Sequence, residues 1–222
     1  MATRTAKTSK GKPRGGSDPH RDTYHHGNLR KALIDAALII LQKKGANALT
    51  LRGAARAAGV SQAAPYRHFA DKEELLAAVA EEGFRLLSEA VSIAESAVQG
   101  NEIQRFRAQG LAYVRFAVEH PAHFRLMFGR EMADHSRHAG LKAAADETFT
   151  RLITAVTTGQ AQHFVRSGVP EDQAMAAWSM VHGLSSLLVD GQLNPGSESL
   201  EDFTNRALQY LFLGLRDESI RL

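Results

Sequence analysis

The sequence contains no cysteine. Without thiols the chain has no disulfide framework, no thiolate metal site and no cysteine nucleophile, so nothing in it requires an oxidising compartment. Long apolar runs are also absent, because the longest fall well short of the roughly 20 residues that span a bilayer. The hydrophilic start does not resemble a signal peptide. We therefore expect a cytoplasmic protein with no membrane partner.

Signatures of catalysis are also missing. The sequence has no Gly-x-Ser-x-Gly elbow, no phosphate-binding Gly-x-x-x-x-Gly-Lys loop and no His-Glu-x-x-His motif. The acidic residues cluster where helices start, where they complement the helix dipole without doing chemistry. We expect no catalytic residues, no cofactor and no enzymatic activity.

The chain has ten histidines, several of them in pairs, and histidine is a potential metal ligand. The pairs are His25 with His26, His120 with His123, and His135 with His138. Because no cysteine or metal-binding motif accompanies them, surface or nucleic-acid-facing roles are favoured over ligation. We expect no metal site.

What the chain does contain is enough apolar material for a core, with 44% hydrophobic residues in a length of 222. This composition excludes a disordered or fibrous protein and suits one ordinary domain or two small ones. The net charge of +3 is unevenly distributed. Residues 1–72 carry fourteen Lys plus Arg against four Asp plus Glu, and the remainder carries thirteen against twenty. A basic first third suits a polyanion such as nucleic acid, although a basic solubilising tail is the alternative.

Periodicity and helix-capping residues predict an all-α protein. Residues 1–24 combine charge with Pro and Gly and are interpreted as a disordered basic arm. The first helix follows a cap at Asn28 and ends at Lys44, and no strand pattern interrupts the later series. The later long helices are predicted at 72–98, 102–118, 121–128, 141–167, 171–192 and 200–218.

Residues 50–76, TLRGAARAAGVSQAAPYRHFADKEELL, have the order of a helix-turn-helix. Thr50 is predicted to cap a short helix that ends before Gly59. Ser61 is predicted to cap a second helix that reaches Phe69, and Asp71 with Glu74 forms a capping box for a third. A plain structural hairpin of alanine-rich helices is the alternative reading.

Four residues of the second helix share one face by helical spacing, namely Gln62, Ala63, Tyr66 and Arg67. Gln62 is able to bridge adenine N6 and N7, and the Ala63 methyl is able to touch a thymine methyl. The Tyr66 hydroxyl suits a phosphate, as does Lys72 at the start of the third helix. This pattern favours reading of a DNA major groove.

The stretch at 50–76, together with YHHGNLRKALIDAA at 24–37, closely resembles the TetR family of bacterial transcriptional regulators. HPAHFRLMFG at 120–129 and WSMVHGLSSLLVDGQL at 178–193 are similar to a subgroup with a C-terminal Trp, His and Gly signature of the WHG type. The signature residues here are Trp178, His182 and Gly183. Nearly the whole chain after the arm is covered.

The resemblance implies both an architecture and a mechanism. A three-helix DNA-binding domain at 25–72 is joined by a connecting helix at 73–100 to a helical effector-binding and dimerisation domain at 101–222. A homodimer binds a palindromic double-stranded operator, usually as a repressor, and a small molecule releases it. The DNA contacts implied by the family pattern are Thr50, Ser61, Gln62, Ala63, Tyr66, Arg67, His68 and Lys72. Pro65 departs from that pattern and removes the donor for the carbonyl of Ser61.

The C-terminal half supplies candidates for a hydrophobic effector site. Trp178 and His182 lie one helical turn apart and share a face. The proposed lining is Tyr113, Phe116, Phe124, Met127, Phe149, Ile153, Trp178 and His182, with ordinary core packing as the alternative. The last two helices are apolar around most of their circumference, which predicts a dimer interface.

Two other classes of function stay open at this point. A helical sensor or carrier without DNA binding would need an eroded reading face, and the face of Gln62, Tyr66 and Arg67 is intact. A helical enzyme that uses the histidines is the second alternative.

Overall fold

The computed structural model describes residues 29–132 and 134–215. These residues form eight α-helices with short 3₁₀ turns between them and no β-strand, which confirms the all-α fold class. The predicted basic arm at 1–24, the Asn28 cap, and His25 with His26 lie outside the described residues. The helices are α1 (Leu29–Lys44), α2 (Leu51–Ala57), α3 (Lys72–Ala97), α4 (Glu102–Glu119), α5 (Pro121–Met127), α6 (Ala139–Ala161), α7 (Pro170–Val189) and α8 (Leu200–Leu215).

Side-chain caps start several of the helices, and two of them, at Thr50 and Asp71, are caps that the sequence predicted. The Thr50 hydroxyl accepts the N–H of Gly53 at 2.9 Å, and the Asp71 carboxylate accepts the N–H of Glu74 at 2.9 Å. The Ser199 hydroxyl caps α8 in the same way by accepting the N–H of Asp202 at 3.0 Å. Each cap satisfies a backbone donor that the first helical turn leaves without a partner, so these boundaries are set locally.

Helix α6 is shorter than the sequence predicted. The expected helix at 141–167 ends at Ala161 because the chain turns back, with His163 at a φ of 62°. The N–H groups of Phe164 and Val165 both donate to the carbonyl of Gly159, which seats their side chains in a small core cluster. Phe164 and Val165 continue the apolar pattern of a helix in sequence, but burial in this turn decides their conformation. The prediction for 162–167 was therefore wrong.

Helix α3 is the element around which the fold is built. Its first half packs against α1, and its length contacts α4, α5 and α6. One continuous apolar core runs along it from Leu33 and Phe69 near its start to Phe84, Leu87 and Phe124. The helix-turn-helix and the helices near residue 124 thus share one apolar core.

A buried histidine lies where α1, α3 and α5 meet. His123 on α5 is 3% exposed, and its Nε2 has no hydrogen-bond partner among the described residues. Glu82 lies 4.0 Å from it, and Lys31 and Asp35 approach from α1. Burial, reinforced by the charges of His120 and Lys31, lowers the pKa of His123 to about 4.

We expect this histidine to make the protein less stable in mild acid. The unfolded chain takes up the proton near pH 6.5 and the folded chain only near pH 4, so stability is lost as the pH falls through that window. Urea unfolding of His123→Phe between pH 7 and 4.5 is expected to show a flatter pH dependence. The exposed His68→Gln is the control, and an unchanged pH dependence in His123→Phe contradicts the assignment.

Candidate nucleic-acid interface and ligand cavity

The turn after α2 is held by backbone hydrogen bonds. Val60 N–H donates to the Ala55 carbonyl at 3.0 Å, and Gly59 N–H donates to the Arg56 carbonyl at 3.2 Å. These two bonds require a residue in the left-handed backbone conformation just after α2, and Gly59 has a φ of 70°. The predicted turn at Gly59 is confirmed, and it sets the direction in which the next segment leaves.

The second element of the motif differs from the prediction. Instead of an α-helix at 62–69 capped by Ser61, the chain forms a 3₁₀ helix over Ala64–Arg67, and the Ser61 side chain makes no capping bond within the described residues. The reason is Pro65, which has no N–H to donate to the Ser61 carbonyl. Ala64 N–H takes that acceptor instead at 3.0 Å, which is the tighter 3₁₀ pattern.

The predicted reading face of Gln62, Ala63, Tyr66 and Arg67 is exposed, with Tyr66 at 54%. Behind it, Pro65 and Phe69 are buried. The segment thus presents its polar side outward while two apolar side chains anchor it to the core. His68 is exposed at the edge of the same surface.

Groups suited to phosphates flank the reading face. Thr50 is exposed at the start of α2, and Lys72 opens α3 beside the carboxyl cap of Asp71. Sequence reasoning did not select two further cations. Arg52 is exposed in the first turn of α2, and Arg30 lies with its Cζ 5.6 Å from the centre of the Phe69 ring. The excess of basic residues before position 73 was the signal that could have identified them.

A cavity of about 360 Å³ lies between α3, α4, α6, α7 and α8. Three of the eight predicted effector-site residues line it: Tyr113, Phe149 and Trp178. Sequence reasoning missed most of the remaining wall, which includes Phe84, Leu87, Val91, Phe106, Phe128, Val181, Leu208 and Phe212. These come from α3, α4, α7 and α8 and from the residue that follows α5, and only packing brings them together.

The other five predicted residues lie outside the cavity wall. Phe116, Phe124 and Met127 are almost fully buried in the main core, where α4 and α5 meet α3. Ile153 packs against the small cluster near the end of α6, and His182 lies behind Tyr113. Spacing along a helix shows which residues share a face but not how that face is rotated toward its neighbours.

A short polar chain joins α4 to α7 at the cavity wall. Trp178 Nε1 donates to the Tyr113 hydroxyl at 3.2 Å, and that hydroxyl is hydrogen-bonded to His182 Nδ1 at 2.9 Å. Burial raises the pKa of Tyr113 and lowers the pKa of His182, so both groups stay neutral. Because each polar group has a partner, the chain holds the two helices together without needing a ligand.

Polar residues gather where the cavity adjoins a cleft of about 520 Å³ between α4 and α6. Arg151 Nη1 lies 3.0 Å from Glu95 Oε2, and Gln109 donates to the other oxygen of Glu95. These residues come from α6, α3 and α4. No pattern within a single helix indicated that they meet.

The outer surfaces of α7 and α8 carry apolar side chains that no described residue covers. We define the α7–α8 face as Met180, Gly183, Leu187, Tyr210 and Leu213. Tyr210 is 69% exposed, and a Cβ at Gly183 would meet nothing within 4 Å. Met180 and Leu187 lie seven residues apart, on one side of α7, with Gly183 between them.

Within residues 29–132 and 134–215, no three His, Asp or Glu side chains come together in a way that would hold a metal ion. None of the helices described there is both long and apolar enough to cross a bilayer.

Comparison with known families identifies both halves of the chain. Residues 33–79 match the family model described as "Bacterial regulatory proteins, tetR family". Residues 106–211 match the model described as "Tetracyclin repressor-like, C-terminal domain".

Individual relatives agree with these matches. The HTH-type transcriptional regulator BetI of Rhizobium meliloti is 35% identical over 107 residues, which cover 48% of this chain and about half (47%) of BetI. A solved structure of a protein with unknown function from Rhodococcus sp. RHA1 is 34% identical, with a TM-score of 0.77 over 87% of this chain and 98% of that one. A TetR family regulator from Marinobacter aquaeolei VT8, 20% identical, shares the fold with a TM-score of 0.67 over 90% and 99% of the two chains.

Proposed function

Because the chain belongs to the TetR family of DNA-binding transcriptional regulators, we propose that it binds a palindromic operator as a homodimer and releases it when a small molecule enters the cavity. It acts in the cytoplasm, most simply as a repressor. Residues 25–72 serve as the DNA-binding domain, 73–100 as the connecting helix and 101–222 as the effector-binding and dimerisation domain, the last being of the WHG type.

The observation that carries the proposal is the exposed reading face above a buried anchor. Gln62 and Ala63 start the segment that enters the major groove, and Tyr66 and Arg67, which are also exposed, follow. Thr50, Ser61, His68 and Lys72 are assigned to the flanking phosphates. The burial of Pro65 and Phe69 supports this assignment, because it anchors the short 3₁₀ segment from behind.

We expect Lys72→Ala to weaken binding to specific and unrelated duplexes alike. Removal of one phosphate contact lowers the slope of log K against log[salt] by about one unit. Gln62→Ala is expected to act differently and to reduce discrimination between bases by about 1–3 kcal/mol at one position of each half-site. Fluorescence anisotropy on labelled operator and scrambled duplexes at several salt concentrations measures both effects.

The control for the lost charge is Lys142→Ala on α6, whose side chain is exposed and pairs with Asp146. It is expected to leave the salt slope unchanged. A Lys72→Ala protein with wild-type affinity and salt slope, together with a Gln62→Ala protein of unchanged base preference, contradicts the proposed interface.

Dimerisation is supported by the α7–α8 face. Apolar side chains on two adjacent helices, with a glycine between them on α7, form the kind of surface that a second copy covers. A two-fold dimer also supplies the two reading segments that a palindrome needs.

Effector release is supported by the position of the cavity. Its wall includes Phe84 and Leu87 on α3, the helix that also carries Lys72 at its start. An effector shifts the equilibrium only if it binds the DNA-incompetent form better, and DNA must then weaken the effector by the same factor.

A further inference from the structure

The apolar cavity has a polar edge, and two arginines, Arg107 and Arg151, line it. Arg151 lines both the cavity and the adjoining cleft. Phe106, Gln109 and Asp146 also line both spaces, so the two adjoin at these residues. A ligand that fills the apolar space is therefore able to place one end at the guanidinium without leaving the cavity.

One hydrogen-bond donor at this edge, on Arg151, has no acceptor among the described residues. Glu95 accepts from Arg151 Nη1 with one oxygen and from Gln109 with the other. Arg151 Nε is buried and has no partner among the described residues. A buried donor without an acceptor is costly, so the pair with Glu95 does not by itself satisfy the guanidinium.

The acidic groups around the same edge already have partners or solvent. Glu102 pairs with Arg105, and Asp146 pairs with Lys142. Glu147 is exposed to solvent. What the edge lacks is an acceptor rather than a donor, which favours a ligand with a negatively charged end over one with a positively charged end.

We propose that the cavity binds an amphiphilic carboxylate; this rests on the cavity being the effector site. The apolar body lies among Phe84, Phe149 and Trp178. The carboxylate accepts from Nη2 of Arg151, because Nη1 donates to Glu95 and Nε is buried. A hydrogen bond between a guanidinium and a carboxylate is stronger than one between neutral groups.

The test uses octanoate and 3-phenylpropanoate as probes, with octan-1-ol and octylamine as the neutral and cationic counterparts. Trp178 is the only tryptophan in the chain and lies in the cavity wall, so its fluorescence reports binding without DNA. We expect saturable binding of at least one carboxylate, tighter than that of the alcohol or the amine. Arg151→Gln is expected to weaken carboxylate binding about tenfold to a hundredfold and to leave binding of the alcohol unchanged.

A second variant is expected to change the affinity for the carboxylate in the direction opposite to that of Arg151→Gln. Glu95→Gln removes the internal carboxylate that competes for Arg151 and is expected to tighten carboxylate binding several-fold. If Arg151 and Glu95 only stabilised the fold, both variants would alter the binding of octanoate and of octanol equally. That result would overturn the proposal. Arg115→Gln, an exposed arginine paired with Glu201, is the matched control.

Separate measurements distinguish the ligand class from the regulatory function. If carboxylates bind through Arg151 but leave labelled operator bound, the ligand class stands and effector release fails. If the amine or the alcohol releases operator while neither carboxylate binds, effector release stands and the present inference is overturned. Absence of saturable binding by both carboxylates overturns it as well.

Discussion

Leu187→Glu is expected to convert the dimer into monomers. It is also expected to weaken operator binding by about a hundredfold to ten-thousandfold, because a monomer contacts one half-site only and loses the effective concentration that linking the two reading segments provides. Leu187 is 39% exposed on the α7–α8 face and lies one turn beyond Gly183, where an added Cβ would meet no atom within 4 Å. A buried carboxylate without a partner is strongly unfavourable in such an interface.

The mass of the protein in solution and its operator affinity test this prediction together. Light scattering at micromolar concentration gives the mass, and anisotropy with full and half operators gives the affinity. The control is Val118→Glu, which places the same charge at another exposed apolar position, on α4. Wild-type protein that is already monomeric, or a Leu187→Glu protein that remains dimeric, excludes the α7–α8 face as the interface.

Phe69→Ala is expected to lower the free energy of unfolding by about 3–5 kcal/mol. The side chain is 3% exposed and belongs to the main core, so its removal leaves a cavity beneath the reading face. Arg30 also loses the ring over which its guanidinium lies. Operator binding is expected to fall as well, because the 3₁₀ segment loses one of its two anchors.

Urea unfolding at fixed protein concentration measures the loss of stability. Tyr66→Ala provides a matched control, since it truncates an aromatic ring three residues earlier that is 54% exposed. It is expected to change stability by less than about 0.5 kcal/mol and to reduce operator affinity. Equal losses of stability in the two variants would mean that Phe69 does not anchor the segment.

Features that depend on residues close together in the chain were predictable. The caps at Thr50, Asp71 and Ser199 each join a side chain to a backbone N–H three residues later. Gly59 adopts the positive φ that its turn requires because glycine has no Cβ. Pro65 was also recognised as a missing donor. Its consequence was underestimated, because the loss of that one bond shifts the whole reading segment from α-helix to 3₁₀ helix.

Features that depend on packing between helices were not predictable. Phe164 and Val165 fit a helical pattern, and only the core between α6, α7 and α8 shows that burial turns the chain back at Gln162. Likewise, Phe116 and Phe124 are as apolar as Tyr113 and Phe149, but the rotation of α4 and α5 directs them into the core.

The sequence by itself therefore determined an all-α chain, the helix boundaries set by caps, the position of the helix-turn-helix and the exposed reading face, because local hydrogen bonds and charge decide these. Only the tertiary structure decided which side chains enclose the cavity and that Arg151, Glu95 and Gln109 meet at its edge. Arg151 and Glu95 alone lie 56 positions apart, and the geometry of these contacts follows from how the helices pack rather than from spacing within any one of them.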